Sequence, residues 1–191
     1  MLLILASTSR YRRELLERLG LDFQTFAPNV DETALPSEVP QDTALRLAQQ
    51  KAQAAATSFP NGLILGSDQV AESEGLRLDK PGNRARAREQ LLHVSGRQVT
   101  FYTAVALLES ATSTVQTAVV PTHVRFRRLT GALVDRYLDR EQPYDCAGSA
   151  KSEGLGIALL EQIAGNDPTA LIGLPLIAVV TMLQNAGLQV P

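Results

Sequence analysis

The sequence is poor in the residues that build several common kinds of site. It has one cysteine, Cys146, so it can form neither an internal disulfide nor a cysteine cluster that holds zinc. This scarcity fits a reducing compartment. The only histidines, His93 and His123, match no metal-ligand spacing, and we interpret them as structural or exposed side chains.

Long apolar runs and an excess of basic charge are also missing. No stretch approaches the roughly 20 apolar residues that a membrane helix needs, and the apolar N-terminus lacks the basic leader of a signal peptide. The net charge of -2 argues against a general nucleic-acid binder, although a local basic pocket is compatible with it. No glycine loop with a following lysine occurs, which excludes a P-loop enzyme. We therefore expect neither a membrane nor a nucleic acid as a partner.

Strand and helix patterns alternate along the 191 residues, whose 45% hydrophobic content is ordinary for a globular protein. Apolar runs at 2–5 and 63–65 predict buried strands, and alternating residues over 99–107 and 115–126 predict an antiparallel hairpin. The pattern and the length predict one α/β domain over residues 1–191, with a mixed sheet. The same signals predict helices over 10–19, 42–58, 83–92, 130–140 and 175–186, strands over 23–26 and 157–163, a loop over 76–81 and a turn over 165–168. Predicted caps of the second, third and fourth helices are Asp42 or Thr43, Asn83 and Thr130.

Three polar residues follow the apolar run at 63–65. Gly66 lets the backbone either turn or come close to another group. Ser67, Asp68 and Gln69 follow and are predicted to lie at the carboxyl end of this strand. Ligands of open α/β sheets bind beyond the carboxyl ends of strands, and a carboxylate there can bind a divalent metal or take a proton from water. For Asp68 alone, a role in capping or turning the chain is the more ordinary interpretation.

The start of the chain has the pattern of an anion site. A strand is followed by the small hydroxyl-rich turn 6–9, whose Ser9 can cap the next helix. Free N–H groups and the helix dipole favour negative charge there, so Arg10, Arg12 and Arg13 in the first turn are unfavourably placed. A bound polyphosphate explains these arginines, and a solvated basic face explains them equally well.

An ordered set of motifs spans nearly the whole chain and is specific only as a set. Its members are LILASTSRYRRELL, VDET, LRLAQQKAQ, LILGSDQV, KP at 80–81, SGRQVTFYTAVAL, CAGSAKSEGLG and LIGLPL. Together they resemble the Maf family of nucleoside triphosphate pyrophosphatases, also known as septum formation inhibitors. Two positions depart from the family pattern, because Arg10 replaces a proline and Asp79 precedes Lys80 where glycine is common.

The resemblance implies a fold, an activity and a location. The implied fold is an elongated α/β structure, a mixed twisted sheet flanked by helices, related to the inosine triphosphate pyrophosphatases. The implied activity is hydrolysis of a nucleoside triphosphate to the monophosphate and pyrophosphate, with a divalent cation (Mg²⁺, Mn²⁺ or Co²⁺) as cofactor. Family members are generally cytoplasmic, and we expect the same here. They often form homodimers, but the sequence leaves the oligomeric state of this protein open.

The resemblance also implies roles for particular residues. Asp68 is the implied proton acceptor, and Glu32 and Asp68 are the implied metal ligands, since hard carboxylate oxygens suit Mg²⁺ or Mn²⁺. The implied phosphate ligands are Ser7, Arg12, Arg13, Lys51 and Lys80.

Three further positions, Tyr11, Gln69 and Glu153, separate substrate classes in the family. Here they resemble the branch that hydrolyses 7-methyl-GTP, whereas the branch acting on dTTP and UTP has arginine, threonine and glutamine. N7 methylation makes guanine cationic, so Tyr11 can stack on it, and Glu153 can accept bonds from its N1–H and amine. Gln69 can offer a donor or an acceptor. From the residues alone, Tyr11 as packing and Glu153 as a surface charge are the alternatives.

Two other functions stand beside this prediction. A dTTP and UTP pyrophosphatase of the same family is disfavoured by Gln69 and Glu153. A nucleotide-binding regulator of cell division, as the older family name suggests, would not need a general base at Asp68. We therefore predict an enzyme that removes modified nucleotides from the pool.

Overall fold

Strands and helices alternate along residues 1–190, which the computed structural model describes. The strands are β1 (Leu2–Ala6), β2 (Phe23–Phe26), β3 (Gly62–Ser73), β4 (Leu76–Leu78), β5 (Gln98–Glu109), β6 (Thr114–Phe126) and β7 (Leu160–Gly165). The helices are α1 (Arg10–Glu17), α2 (Pro40–Ala56), α3 (Arg84–His93), α4 (Gly131–Glu141) and α5 (Leu176–Asn185). Short 3₁₀ turns lie at Ala147–Ser149, Leu155–Leu159 and Ala170–Ile172.

The strands form one mixed sheet, which confirms the predicted α/β class. The strand order is β2-β1-β3-β5-β6-β7, and β4 pairs with β3. Strand β1 lies parallel to β2 and to β3, with Leu3 opposite both Phe23 and Leu63. Strand β4 is antiparallel to β3, and β7 is antiparallel to β6.

The described chain divides into two compact units. The first comprises residues 1–69, 103–120 and the chain from Asp167 onward, and the second comprises 70–102 and 121–166. Strands β3, β5 and β6 contribute residues to both units. A domain is defined by independent folding, so one domain over 1–191 stays a prediction.

Strands β1 and β3 are buried on both faces, which explains their continuous apolar sequences. One face, which includes Leu3 and Leu63, packs in a cluster with residues of α1 and α5. The other face, which includes Ile4 and Ile64, packs with alanines of α2. The first unit therefore holds the amino-terminal ends of both parallel strands and α2 in one fixed arrangement.

Gly66 is the point where α2 comes closest to β3. A methyl group built there would overlap the carbonyl oxygen of Ala48 and lie 2.7 Å from the amide nitrogen of Ala52. Any larger residue would push the helix off the strand. The glycine thus serves close packing of helix on strand, while β3 continues through it.

Most predicted boundaries of helices and strands lie within two or three residues of the observed ones. Three predicted caps are confirmed. The side chains of Ser9, Asn83 and Thr130 accept hydrogen bonds from backbone N–H groups in the first turns of α1, α3 and α4. None of the helices in residues 1–190 combines the length and the apolar character that a membrane span requires.

Four predictions about local structure are wrong. Strand β3 does not end near Gly66 but continues to Ser73, so Ser67, Asp68 and Gln69 lie within the strand. The predicted loop over 76–81 contains β4, which pairs with the extended end of β3. Helix α2 begins at Pro40, a residue suited to a first helical turn, instead of at a side-chain cap. Strand β7 begins at Leu160 because the preceding five residues form a 3₁₀ turn.

Candidate active site

Two carboxylates converge on the ammonium group of Lys51. Its Nζ atom lies 2.7 Å from Oδ1 of Asp68 and 2.5 Å from Oε1 of Glu32. The side chains of Lys51 and Asp68 are 7% and 11% exposed, whereas that of Glu32 is 53% exposed. The site is therefore a largely buried ion pair that opens to solvent on the Glu32 side.

The local fold explains why Lys51 meets Asp68. Residues two apart on a strand share a face. Asp68 therefore points toward α2, the helix that packs closely against Gly66. Lys51 lies on that helix, directly before Ala52, whose backbone approaches Gly66. The absence of a side chain at Gly66 thus brings the ammonium group within reach of the carboxylate.

The loop that carries Glu32 is fastened to α2 by a second ion pair. Arg46 binds Glu38 through two parallel contacts, Nε to Oε1 and Nη2 to Oε2, both at 2.7 Å. Its Nη2 also donates to the backbone oxygen of Thr33 at 3.1 Å. The hydrogen bonds from Arg46 are the main cause that lowers the pKa of Glu38 from 4.5 to about 2. Arg46 therefore holds the backbone next to Glu32 through its hydrogen bond to Thr33.

Arg12 lies near the two carboxylates. Its Nε donates to the backbone oxygen of Gly173 at 2.8 Å. Burial lowers the pKa of its guanidinium, and the charges of Asp68 and Glu32 oppose that shift. Within the described residues its Nη atoms donate no hydrogen bond, which leaves them able to bind an anion.

Ser7 and Arg13 occupy different surroundings at the start of α1. Ser7 is buried, and its Oγ accepts a hydrogen bond from the backbone N–H of Ser9 at 3.1 Å. Arg13 is 63% exposed and contacts Glu17 one helical turn on, with Nε 2.9 Å from Oε1. Arg13 therefore faces solvent in this structure.

The amide of Gln69 is held in one orientation. Its Nε2 donates to the backbone oxygens of Ala170 and Leu171 at 3.1 and 3.0 Å, and contacts Oγ1 of Thr103 at 2.9 Å. Two carbonyl oxygens accept only, so the nitrogen must face them and Oε1 must point the other way. Of the donor and acceptor that the sequence left open, Gln69 has only its acceptor to offer a ligand.

Tyr11 already has a cation against its ring. The Arg10 guanidinium lies 4.7 Å from the ring centroid, and its Nη2 donates to the Tyr11 hydroxyl at 2.8 Å. This is the type of contact that the sequence predicted with a methylated base.

The remaining two predicted residues, Lys80 and Glu153, belong to the second unit and are both exposed. The backbone beside Lys80 is held by Nε2 of Gln90, which donates to the oxygen of Asp79 at 2.8 Å. This contact fixes the start of the loop from which the Lys80 side chain projects.

The loop with Glu153 is fastened on both sides by Glu141. The two oxygens of this carboxylate accept from Lys151 Nζ at 2.9 Å and from the backbone N–H of Leu155 at 2.7 Å. A side chain at Gly154 would collide with the Glu141 carboxylate. The loop backbone on both sides of Glu153 is therefore held in place.

The sequence predicted no site residue in the segment 167–173, although it predicted a turn over 165–168 and the motif LIGLPL begins within the segment. Backbone oxygens of this segment accept hydrogen bonds from Gln69 and Arg12. The buried carboxylate of Asp167 holds the segment in place. Only its Asp–Pro–Thr sequence, typical of a turn with side-chain hydrogen bonds, signalled an ordered structure there.

A family model and two relatives compared by sequence agree on one family. A model described as Maf-like protein matches residues 2–186. A protein of Thiobacillus denitrificans named 7-methyl-GTP pyrophosphatase is 57% identical over 188 residues, which cover 98% of this chain and 94% of that protein. A protein of Aromatoleum aromaticum with the same name is 54% identical over 189 residues, 99% of this chain and 97% of that one. The solved Ham1 protein of Staphylococcus aureus has a TM-score of 0.49 and 15% identity, over 67% of this chain and 73% of that one.

Proposed function

The chain belongs to the Maf family, and from this premise we propose that it hydrolyses 7-methyl-GTP to 7-methyl-GMP and pyrophosphate. Such an enzyme, a hydrolase of acid anhydrides, removes a modified nucleotide from the pool. The observation that carries the proposal is the convergence of Glu32 and Asp68 on Lys51, with Arg12 close by. Carboxylates and cations held together in this way suit the hydrolysis of a polyphosphate.

In the proposed reaction Asp68 accepts a proton from a water molecule. The water oxygen attacks the α-phosphorus, the bond from that phosphorus to the bridging oxygen breaks, and pyrophosphate leaves. Oδ1 of Asp68 is engaged by Lys51, whereas Oδ2 accepts no hydrogen bond from the residues described. Oδ2 is therefore the oxygen that we assign to the water. General-base help of this kind contributes about 10²–10⁴ in rate.

Cationic side chains would bind the phosphates. Arg12 offers its Nη atoms, and Lys51 can share its ammonium between Asp68 and a phosphate oxygen. Ser7 and the N–H groups at the start of α1 would complete this side of the site. Arg13 can exchange Glu17 for a phosphate at little cost, since an exposed ion pair is worth only about 0–1 kcal/mol. We also propose Lys80, a residue of the second unit, as a phosphate ligand.

The donor set fits a divalent cation of the Mg²⁺ or Mn²⁺ type, with Co²⁺ as a further candidate. Glu32 and Asp68 bring hard oxygens to one point, now bridged by Lys51. Within residues 1–190 no group of three or more His, Cys, Asp or Glu side chains could hold a metal. Mg²⁺ commonly uses one or two carboxylates plus substrate phosphates, so a pair suffices. When bound, such an ion neutralises phosphate charge and polarises the phosphoryl group.

Three residues would recognise the base. Tyr11 would stack on the cationic ring, an attraction of roughly 0.5–2 kcal/mol. Oε1 of Gln69 would accept a hydrogen bond from a donor on the base. Glu153 would accept from the N1–H and the amine of guanine as a charge-assisted pair. Gln69 and Glu153 also weigh against a dTTP and UTP pyrophosphatase, and a regulator without turnover would have no use for Asp68.

We propose a cytoplasmic location and a homodimeric assembly. A single cysteine suits the reducing cytoplasm, and the family resemblance supports a homodimer. The net charge of -2 gives no reason to propose nucleic acid as a partner.

Product analysis tests the proposed reaction. The protein is incubated with 7-methyl-GTP and Mg²⁺, and the phosphate products are separated. We expect pyrophosphate and 7-methyl-GMP, and loss of activity in excess chelator. Release of orthophosphate, or full activity in the chelator, would contradict the proposal.

A further inference from the structure

We propose that Asp167 is a positioning residue that couples base recognition to phosphate binding. It acts through the anchor segment, which we define as residues 167–173. The proposal rests on the proposed function, because it concerns the same substrate. Asp167 is 3% exposed and is therefore a buried carboxylate outside the Lys51 cluster.

Asp167 fastens the anchor segment to the start of α5. Its Oδ1 accepts from the backbone N–H and from Oγ1 of Thr169 at 2.8 and 2.6 Å. Its Oδ2 accepts from the N–H of Ile177 at 2.8 Å, and Thr169 Oγ1 accepts from the N–H of Leu176 at 2.8 Å. The first N–H groups of a helix lack partners within it, and a carboxylate there is favoured by the helix dipole. The bonds from Leu176 and Ile177 tie the anchor segment to α5, and the two bonds between Thr169 and Asp167 hold the segment's own turn.

The anchor segment also holds Gln69, which we propose to recognise the nucleobase. The oxygen of Ala170 accepts from Gln69 Nε2 and from Thr103 Oγ1, at 3.1 and 2.8 Å. The oxygen of Leu171 accepts from the same Gln69 nitrogen at 3.0 Å. The direction of the Gln69 amide is thus set by two consecutive carbonyl groups of the segment.

The same segment holds a proposed phosphate ligand. The oxygen of Gly173 accepts from Nε of Arg12 at 2.8 Å and from Oγ of Ser67 at 3.0 Å. Gly173 has a φ of 126°, a conformation in which a side chain is strained. This carbonyl direction therefore depends on glycine and on the segment around it. One four-residue stretch, 170–173, sets both Gln69 and Arg12.

A shift of the anchor segment should therefore affect two parts of the substrate together. Misplacing Arg12 weakens the hold on the phosphates, and turning Gln69 weakens discrimination between bases. A residue that only stabilised the fold would instead lower the amount of active enzyme, which changes kcat equally for all substrates. The Michaelis constants and the ratio between substrates separate these two cases.

The test compares variants of Asp167 and Thr169 in the full chain. Asp167→Asn places an amide where two carboxylate oxygens accepted, so one N–H group loses its partner. Thr169→Val removes the hydroxyl that links Asp167 to α5, and Thr169→Ser keeps it. Asp22→Asn, at an exposed position outside the site, is the matched control. Each variant is assayed with 7-methyl-GTP and GTP, and its affinity for the product 7-methyl-GMP is measured by calorimetry.

We expect Asp167→Asn and Thr169→Val to raise KM for 7-methyl-GTP about tenfold, because a displaced Arg12 would lose hydrogen bonds to the charged phosphates. The preference for 7-methyl-GTP over GTP should fall at least about threefold, with kcat less affected than KM. Product affinity should fall in parallel, and Thr169→Ser and Asp22→Asn should match the wild type. If Asp167→Asn does not fold, the Thr169 pair decides.

The experiment distinguishes a failure of the proposed function from a failure of the proposed role of Asp167. Wild-type protein that releases no pyrophosphate from 7-methyl-GTP overturns the proposed function. An active wild type with folded Thr169→Val protein of unchanged KM, preference and product affinity overturns the role of Asp167 alone.

Discussion

The ammonium group of Lys51 donates to Oδ1 of Asp68 at 2.7 Å, from helix α2 to strand β3. The proposed proton acceptor is therefore held by a cation that the same chain supplies. One carboxylate oxygen is fixed by this contact, and the other is left for water. Removing either partner has separate consequences for chemistry and for stability.

Replacing Asp68 by asparagine should nearly abolish turnover and leave the fold intact. The amide has almost the same shape but cannot take the proton from water, so kcat should fall by about 10²–10⁴. Steady-state kinetics and thermal unfolding of Asp68→Asn, with Asp22→Asn as control, check this. Activity within a few-fold of the wild type would show that Asp68 has only a structural role.

Replacing Lys51 by methionine should destabilise the protein. Asp68 would stay in a site where its side chain is 11% exposed, without the ammonium group that contacts it, and breaking a buried ion pair costs about 3–5 kcal/mol. The double variant Lys51→Met, Asp68→Asn should recover part of the lost free energy of unfolding. Urea unfolding measures all three proteins, and a fully stable single variant would show that the pair contributes nothing to stability.

The Asp68 region shows how far the sequence predicts this site. The apolar run at 63–65 predicted the buried strand. Of the two roles predicted for Gly66, the close approach is confirmed and the turn is wrong. The strand continues through Gly66 because the glycine admits the backbone of α2. The sequence does not indicate which element packs against a glycine. The contact between Lys51 and Asp68 could therefore be identified only from the three-dimensional structure.

Long-range contacts of Asp167 were beyond prediction for a related reason. Its partner Ile177 lies ten residues further along the chain, and the segment it fixes meets Gln69 about a hundred residues away in sequence. Caps such as Ser9 and Asn83 were predictable because their partners lie three residues on. Local side-chain rules reach no further than the turn in which they act.

The Arg46–Glu38 pair predicts a pH dependence of stability. The pKa of Glu38 is about 2 in the folded protein, below its ordinary value, so the folded state binds this proton less readily than the unfolded state. The stabilisation is thus fully present above about pH 4.5 and is lost as the pH falls toward 2. Glu38→Gln should be less stable than the wild type at pH 6, and the difference should shrink at lower pH. Urea unfolding from pH 6 to pH 2 measures it, and a difference independent of pH would contradict this assignment.

Replacing Glu153 by glutamine should change specificity more than chemistry. The side chain is exposed on a loop that Glu141 holds, and we assign it to the base and not to the reacting phosphorus. The amide retains an acceptor but loses the charge and one oxygen, so the preference for 7-methyl-GTP over UTP should fall. The value of kcat for 7-methyl-GTP should change much less. An equal loss for every nucleotide would show that Glu153 does not read the base.

Substrate preference of the wild-type protein tests the central claim most directly. The measurement is kcat/KM for pyrophosphate release from 7-methyl-GTP, GTP, dTTP and UTP under one set of conditions with Mg²⁺. GTP lacks the fixed ring charge that Tyr11 would attract, worth roughly 0.5–2 kcal/mol, and pyrimidines would leave the polar groups of the base site without partners. We expect the highest kcat/KM for 7-methyl-GTP, then GTP, with dTTP and UTP lowest. A higher kcat/KM for dTTP or UTP, or no pyrophosphate from any of the four, would contradict it.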